Sequence, residues 1–142
     1  MKKPKILLAD DHPDMLETVA QILEPTFEIV GRLGDGQALL EAVRKQKPDV
    51  IVVDISLPVL NGLEAANKLK LSGSTARIVF LTAHDDQDFV NACLASGALG
   101  YVYKAQMAVD LIAAINEALE GRTFVSDFSK SATARHFGAR DF

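Results

Sequence analysis

The sequence predicts an α/β fold in which a parallel sheet is covered by helices on both faces. Three observations predict it. Short apolar runs alternate with segments of helical periodicity as far as residue 121. Three of those runs, "ILLA", "VIVV" and "IVFL", are apolar at every position, as strands buried on both faces must be. Strand and helix alternate five times, and that order builds right-handed crossovers into a parallel sheet.

The first strand is expected over Lys5–Ala9 and runs into Asp10 and Asp11. In the helix that follows, Met15, Val19, Ile22 and Leu23 share a face, and Pro25 stops it. The second strand, Phe27–Leu33, leads through Gly34, Asp35 and Gly36, which read as turn chemistry, to a helix marked by Leu39, Leu40 and Val43 and stopped by Pro48. The third strand, Val50–Val53, ends at Asp54; Leu63, Ala66 and Leu69 mark the next helix, and Gly73 ends it. The fourth, Ile78–Leu81, ends at Thr82 and is followed by Phe89, Cys93 and Leu94 at helical spacing, then Gly97. The fifth, Tyr101–Tyr103, meets Lys104, and the clearest helical stripe follows: Met107, Leu111, Ile112, Ile115 and Leu119, closed by Gly121. The remainder, "SDFSKSATARHFGARDF", has no period. One domain is therefore expected over 1–125, with a tail or linker stub over 126–142.

Composition narrows the function. The 142 residues fit one domain, and 49% hydrophobic content fills a sizeable core. A net charge of −4 argues against nucleic acid as a direct partner, because phosphate binding leaves a basic footprint. One cysteine, Cys93, allows no intrachain disulfide. No apolar run reaches membrane-spanning length, and the one after "MKKPK" is too short for a secretory signal, so the chain reads as cytoplasmic.

In open α/β sheets ligands bind beyond the carboxyl ends of the strands. There this sequence places Asp10 and Asp11, Asp54, Thr82 and Lys104. Two carboxylates 4 Å apart repel by roughly 4 kcal/mol at an effective dielectric near 20, so something must offset the cluster. Adjacent strands lie about 4.8 Å apart, so Asp10, Asp11 and Asp54 share one site if the first and third strands are neighbours. Clustered oxygens suit a hard cation such as Mg²⁺. Singly, each residue has an ordinary role: a solvated loop acid, a helix cap, a surface lysine. The signal is the joint pattern. His12, His84 and His136 share no metal-ligand spacing, so zinc is not expected.

Together "ADDHP", "VVDISLPVLNG", "LTA" and "GYVYKA" resemble the receiver (CheY-like) domain of two-component response regulators. Pro58 and Gly62 fall four and eight residues after Asp54, as in that family. "ADDHP", Ala105 after the lysine and "LIAAINEALEGRTFVS" look most like its LuxR/NarL-type subfamily. The resemblance implies a flavodoxin-like (βα)5 three-layer sandwich whose five-stranded parallel sheet has the order 2-1-3-4-5. It implies that Asp54 accepts a phosphoryl group from a histidine kinase or small phosphodonor. Asp10, Asp11, Asp54 and the Ser56 carbonyl would hold Mg²⁺, and Lys104 would pair with the phosphoryl oxygens. Thr82 and Tyr101 would form the switch, with Tyr101 turning inward on phosphorylation.

In such receivers the output face joins the fourth helix, fifth strand and fifth helix, here around 86–95, 101–103 and 107–119. Phosphorylation is expected to change self-association, as a homodimer, or partner binding through that face, with Asn116, Glu117 and Glu120 turned to solvent. Tyr103 points to the same side as Tyr101 and either adds an aromatic contact or covers the sheet edge. The chain is expected to be either the receiver part of a transcriptional regulator or a free-standing receiver, and DNA would be reached only through a domain outside this chain. Rival readings fare worse. A haloacid-dehalogenase-type phosphatase wants an aspartate two residues after its nucleophile, where this chain has Ser56. A flavin or nucleotide module wants a phosphate-cradling loop after the first strand, where "DDHPD" is acidic. A pseudo-receiver would not need the complete acidic set.

Overall fold

The computed structural model describes residues 2–83 and 87–127. Its elements follow in the order β1 (Lys5–Ala9), α1 (Pro13–Leu23), β2 (Glu28–Leu33), α2 (Gly36–Gln46), β3 (Val50–Val53), α3 (Gly62–Leu71), β4 (Arg77–Thr82), α4 (Gln87–Ala95), β5 (Gly100–Tyr103), α5 (Met107–Leu119) and β6 (Phe124–Val125). A single 3₁₀ turn, Lys104–Gln106, joins β5 to α5. His84, His136, Asp86 of the expected output face and the stretch 128–142 lie outside the described residues.

The sheet is parallel throughout, in the order β2-β1-β3-β4-β5-β6. The predicted order 2-1-3-4-5 is present, but a sixth strand extends the five that were expected. "FV" is too short and too close to a glycine to carry a strand pattern of its own. It pairs because β5 offers it a free edge: the Phe124 amide donates to the Leu99 carbonyl at 2.8 Å and the Ser126 amide to the Tyr101 carbonyl at 2.8 Å. Packing continues through Ser126, which is buried one residue past the expected boundary at 125.

Alternation along the strands feeds two cores. Leu7, Ala9, Ile51, Val53, Ile78 and Phe80 pack with α2, α3 and α4 through Leu39, Val43, Ala65, Ala66, Leu69, Val90 and Cys93. Ile6, Leu8, Val50, Val52, Val79, Leu81 and Val102 face the other way, against Val19, Ala20 and Leu23 of α1 and Leu111, Ala114, Ile115 and Ala118 of α5. That is why the three strand runs are apolar at every position. It also leaves the polar chemistry to the strand ends.

Tyr101 and Tyr103 share the α4 side, ring centroids 5.8 Å apart and edge to face. Tyr103 is only 6% exposed. Of the two expectations for it, the aromatic contact on the output face is corrected: its ring packs in the core on the α4 side, and its amide donates to Ser126 Oγ at 3.2 Å. On α5, Asn116 and Glu120 are exposed, whereas Glu117 is half-buried and paired with Arg122 at 2.6 Å.

Candidate functional site

The site is assembled by strand register. Ala9 pairs with Val53, and one step on, the Asp54 amide donates to the Ala9 carbonyl at 3.0 Å. On the other flank of β1 the Asp10 amide donates to the Leu33 carbonyl at 3.0 Å. Asp10 and Asp54 are thus fixed side by side by backbone, each 4% exposed, while Asp11 stays exposed. Asp14, three residues past Asp11, sits in the first turn of α1, where it suits the positive end of the helix dipole. It is not part of the site.

Lys104 reaches in from the end of β5. Its Nζ lies 2.9 Å from Asp10 Oδ2 and 3.0 Å from Asp54 Oδ2, with the side chain 16% exposed. Burial works against its charge, but the hydrogen bonds and charges of Asp10 and Asp54 outweigh burial and hold the ammonium above its ordinary pKa. The like-charge repulsion read from the sequence is therefore offset first by a residue of the chain itself, brought in from 50 positions away.

His12 is the second offset, and the one residue here that sequence reasoning set aside. It occupies the N-cap place of α1 in extended conformation without bonding the helix through its side chain. The ring folds back instead. Nδ1 lies 3.0 Å from Asp10 Oδ1 and 3.1 Å from Asp11 Oδ1. The Asp10 hydrogen bond first, then the charges of Asp11 and Asp10, raise the imidazole pKa above 6.5. A search for histidine pairs at metal-ligand spacing could not find it. Its direct adjacency to the acidic pair was the available signal.

Asp54 is further oriented from β3 onward. The Ser56 amide donates to its Oδ1 at 3.2 Å. The start of α3 presses on the same backbone: the Gly62 amide donates to the Ile55 carbonyl at 2.8 Å. A Cβ on Gly62 would overlap the Asp54 carbonyl and lie 2.9 Å from Ile55 Cα, so only glycine permits this approach. Thr82 is fully buried at the end of β4, in register with Tyr103. Tyr101 is also fully buried.

Asp10, Asp11, His12 and Asp54 each offer one ligand atom, and the four lie within 4.8 Å of one another. Three carboxylates at a strand edge fit a hard divalent cation that keeps part of its water shell. The space between the carboxylates and α1 is about 10 Å³, lined by Asp10, Met15, Leu16 and Asp54 among others, room for about one water. The larger concavity, about 660 Å³, lies at the opposite end of the sheet among Arg44, Lys47 and Arg77, away from this chemistry.

The family model "Response regulator receiver domain" matches residues 6–116. The chain belongs to the response regulator receiver family. Among curated receiver-containing relatives, the transcriptional regulatory protein DegU of Brevibacillus brevis is 38% identical over 125 residues, 87% of this chain and 53% of the relative. The nitrate/nitrite response regulator NarL of Escherichia coli K12 is 33% identical over 124 residues, 86% of this chain and 57% of the relative. This receiver chain thus spans little more than half the length of those regulators. Solved structures agree. The signal receiver domain of NarL from Mycobacterium tuberculosis superposes with a TM-score of 0.82 at 28% identity, covering 86% of this chain and 100% of that one. A LuxR-family two-component response regulator from Aurantimonas superposes with a TM-score of 0.83 at 29% identity, covering 95% and 94%. Among the described residues, no helix of the receiver is long and apolar enough to cross a membrane.

Proposed function

We propose that this receiver is a phosphorylation-dependent switch whose phosphoacceptor is Asp54. The observation that carries the reading is the ammonium of Lys104 bridging the buried Asp10 and Asp54 carboxylates at 2.9 and 3.0 Å. A carboxylate oxygen of Asp54 attacks phosphorus; the new P–O bond forms as the donor's P–N or P–O bond breaks, and the donor leaves with the electron pair. Mg²⁺, when bound by Asp10, Asp11, Asp54 and the Ser56 carbonyl, supplies positive charge to the transferring oxygens. Lys104 neutralises charge on the same oxygens from the β5 side, and Asp10 keeps that lysine in place. The chain promotes its own phosphorylation and slow loss of the group, rather than turning over a substrate.

The acyl phosphate adds about −1.5 to −2 charges where Lys104 now balances two carboxylates. Thr82, at the end of the neighbouring strand, answers that charge with its hydroxyl. Coupling of this kind carries about 1–3 kcal/mol. The donor is a sensor histidine kinase. The output is partner binding or homodimerisation through α4, β5 and α5, where exposed Asn91, Ala92, Ala108 and Val109 supply the contact surface in place of Tyr103. The receiver unit is 1–125, with the expected tail or linker stub of 126–142 beginning at the buried Ser126. Its likeness to the transcriptional regulatory protein DegU supports a role for this switch in the control of transcription.

The test is acetyl phosphate with Mg²⁺, followed by intact mass. One phosphoryl group is expected on the wild type and none on Asp54→Asn. Equal labelling of Asp54→Asn contradicts the assignment. Sedimentation with and without beryllofluoride reads the output: an unchanged coefficient contradicts the homodimer.

A further inference from the structure

We infer that His12 is a nitrogen ligand of this metal site and biases it from Mg²⁺ toward borderline cations such as Mn²⁺, Co²⁺ and Ni²⁺. The inference rests on the reading of Asp10, Asp11 and Asp54 as metal ligands.

The geometry supports it at three points. Ligand atoms about 2.1 Å from an octahedral cation stand roughly 3.0 Å apart at neighbouring positions. His12 Nδ1 lies 3.0 Å from Asp10 Oδ1 and 3.1 Å from Asp11 Oδ1, so the three atoms are already spaced like neighbouring ligands. Next, Lys104 occupies Asp10 Oδ2 and Asp54 Oδ2. On Asp10 the oxygen that Lys104 leaves is Oδ1, which accepts the His12 amide at 2.9 Å and faces the His12 ring; on Asp54, Oδ1 accepts the Ser56 amide. Finally, the imidazole is uncommitted elsewhere. It makes no cap bond to α1, its side chain is 69% exposed, and its only recorded contacts among the described residues are these two carboxylates.

Imidazole prefers later first-row cations, whereas an all-oxygen set suits Mg²⁺. A single nitrogen donor added to three carboxylates therefore strengthens binding in the order Mn²⁺, Co²⁺, Ni²⁺ and adds little for Mg²⁺. The competing description makes His12 a counter-ion that any arriving cation displaces. The two differ in sign. Removing a ligand weakens the borderline cations selectively; removing a counter-ion strengthens every cation alike.

The experiment uses the tag-free chain at pH 8.0, wild type and His12→Gln. Calorimetric titration gives Mg²⁺ and Ni²⁺ affinities, and pulsed electron paramagnetic resonance of the Mn²⁺-loaded protein reads nitrogen coupling. Expected are Ni²⁺ binding weakened about tenfold in His12→Gln, Mg²⁺ binding within about twofold, and a ¹⁴N coupling in the wild type that the variant loses. Mn²⁺ bound to the wild type without ¹⁴N coupling, or a parallel gain for all cations in His12→Gln, overturns the role of His12 and leaves the carboxylate site standing. Cation binding that is absent from the wild type, or undiminished in Asp11→Asn, overturns the carboxylate site and the inference with it.

Discussion

Val59 holds a conformation that its side chain resists. Its φ is 68°, in the left-handed region that β-branched residues avoid. The Leu60 amide donates to the Pro58 carbonyl at 2.7 Å, closing a strained three-residue turn around it. Nothing is gained by packing, since Val59 is 82% exposed. Val59→Gly is expected to raise unfolding free energy by about 0.5–1 kcal/mol, the strain released less the added chain entropy of glycine. Urea denaturation measures it, and a lowered midpoint contradicts the strain argument. Cys93 is the opposite case, a residue wholly at ease. Burial pushes its thiol pKa from 9.0 up to about 12. Folding thus favours the neutral thiol: that contribution is complete below pH 9 and is lost as pH rises toward 12. At pH 8 a thiol reagent should label Cys93 only at the rate of unfolding; rapid labelling of the native protein would contradict its burial.

Between elements, the most informative link joins β6 to α5 and β5. Ser126 Oγ donates to Asp110 Oδ2 at 2.8 Å and accepts the Tyr103 amide at 3.2 Å. Both Asp110 and Ser126 are buried. The last described residues of the chain are thereby tied to the backbone directly ahead of Lys104. Ser126→Ala deprives a buried carboxylate of one donor and a strand amide of its acceptor. The expected cost is about 1–3 kcal/mol, with faster exchange of the Tyr103 amide in hydrogen-exchange measurements. Unchanged exchange at Tyr103 would show that the link does not hold β5. None of this was legible in the sequence. Asp110 reads as an ordinary acid of a helix first turn, and Ser126 as the start of an aperiodic tail. The partnership exists only after β6 docks.

For the molecule as a whole, what was legible followed from periodicity and from chain order. All five longer strands lie within a residue of their expected ends: four are buried runs that leave no alternative pattern, and the half-exposed edge strand β2 is bounded by the turn residues on either side of it. The gathering of Asp10, Asp54 and Lys104 was legible because parallel strands deliver their carboxyl ends to one edge. Contacts across that edge were not. No sequence pattern states that Lys104 bridges two carboxylates, that His12 turns back onto Asp10 and Asp11, or that the Tyr103 amide finds Ser126 Oγ. Each depends on side-chain direction after the chain has closed. The whole account turns on one bond, from phosphorus to an oxygen of Asp54. Phosphorylation by acetyl phosphate and Mg²⁺, reduction of the acyl phosphate with borohydride, and peptide mass mapping would locate it directly. The account predicts homoserine at position 54 alone. Homoserine at position 10 or 11, or a phosphorylated chain with aspartate intact at position 54, would contradict it.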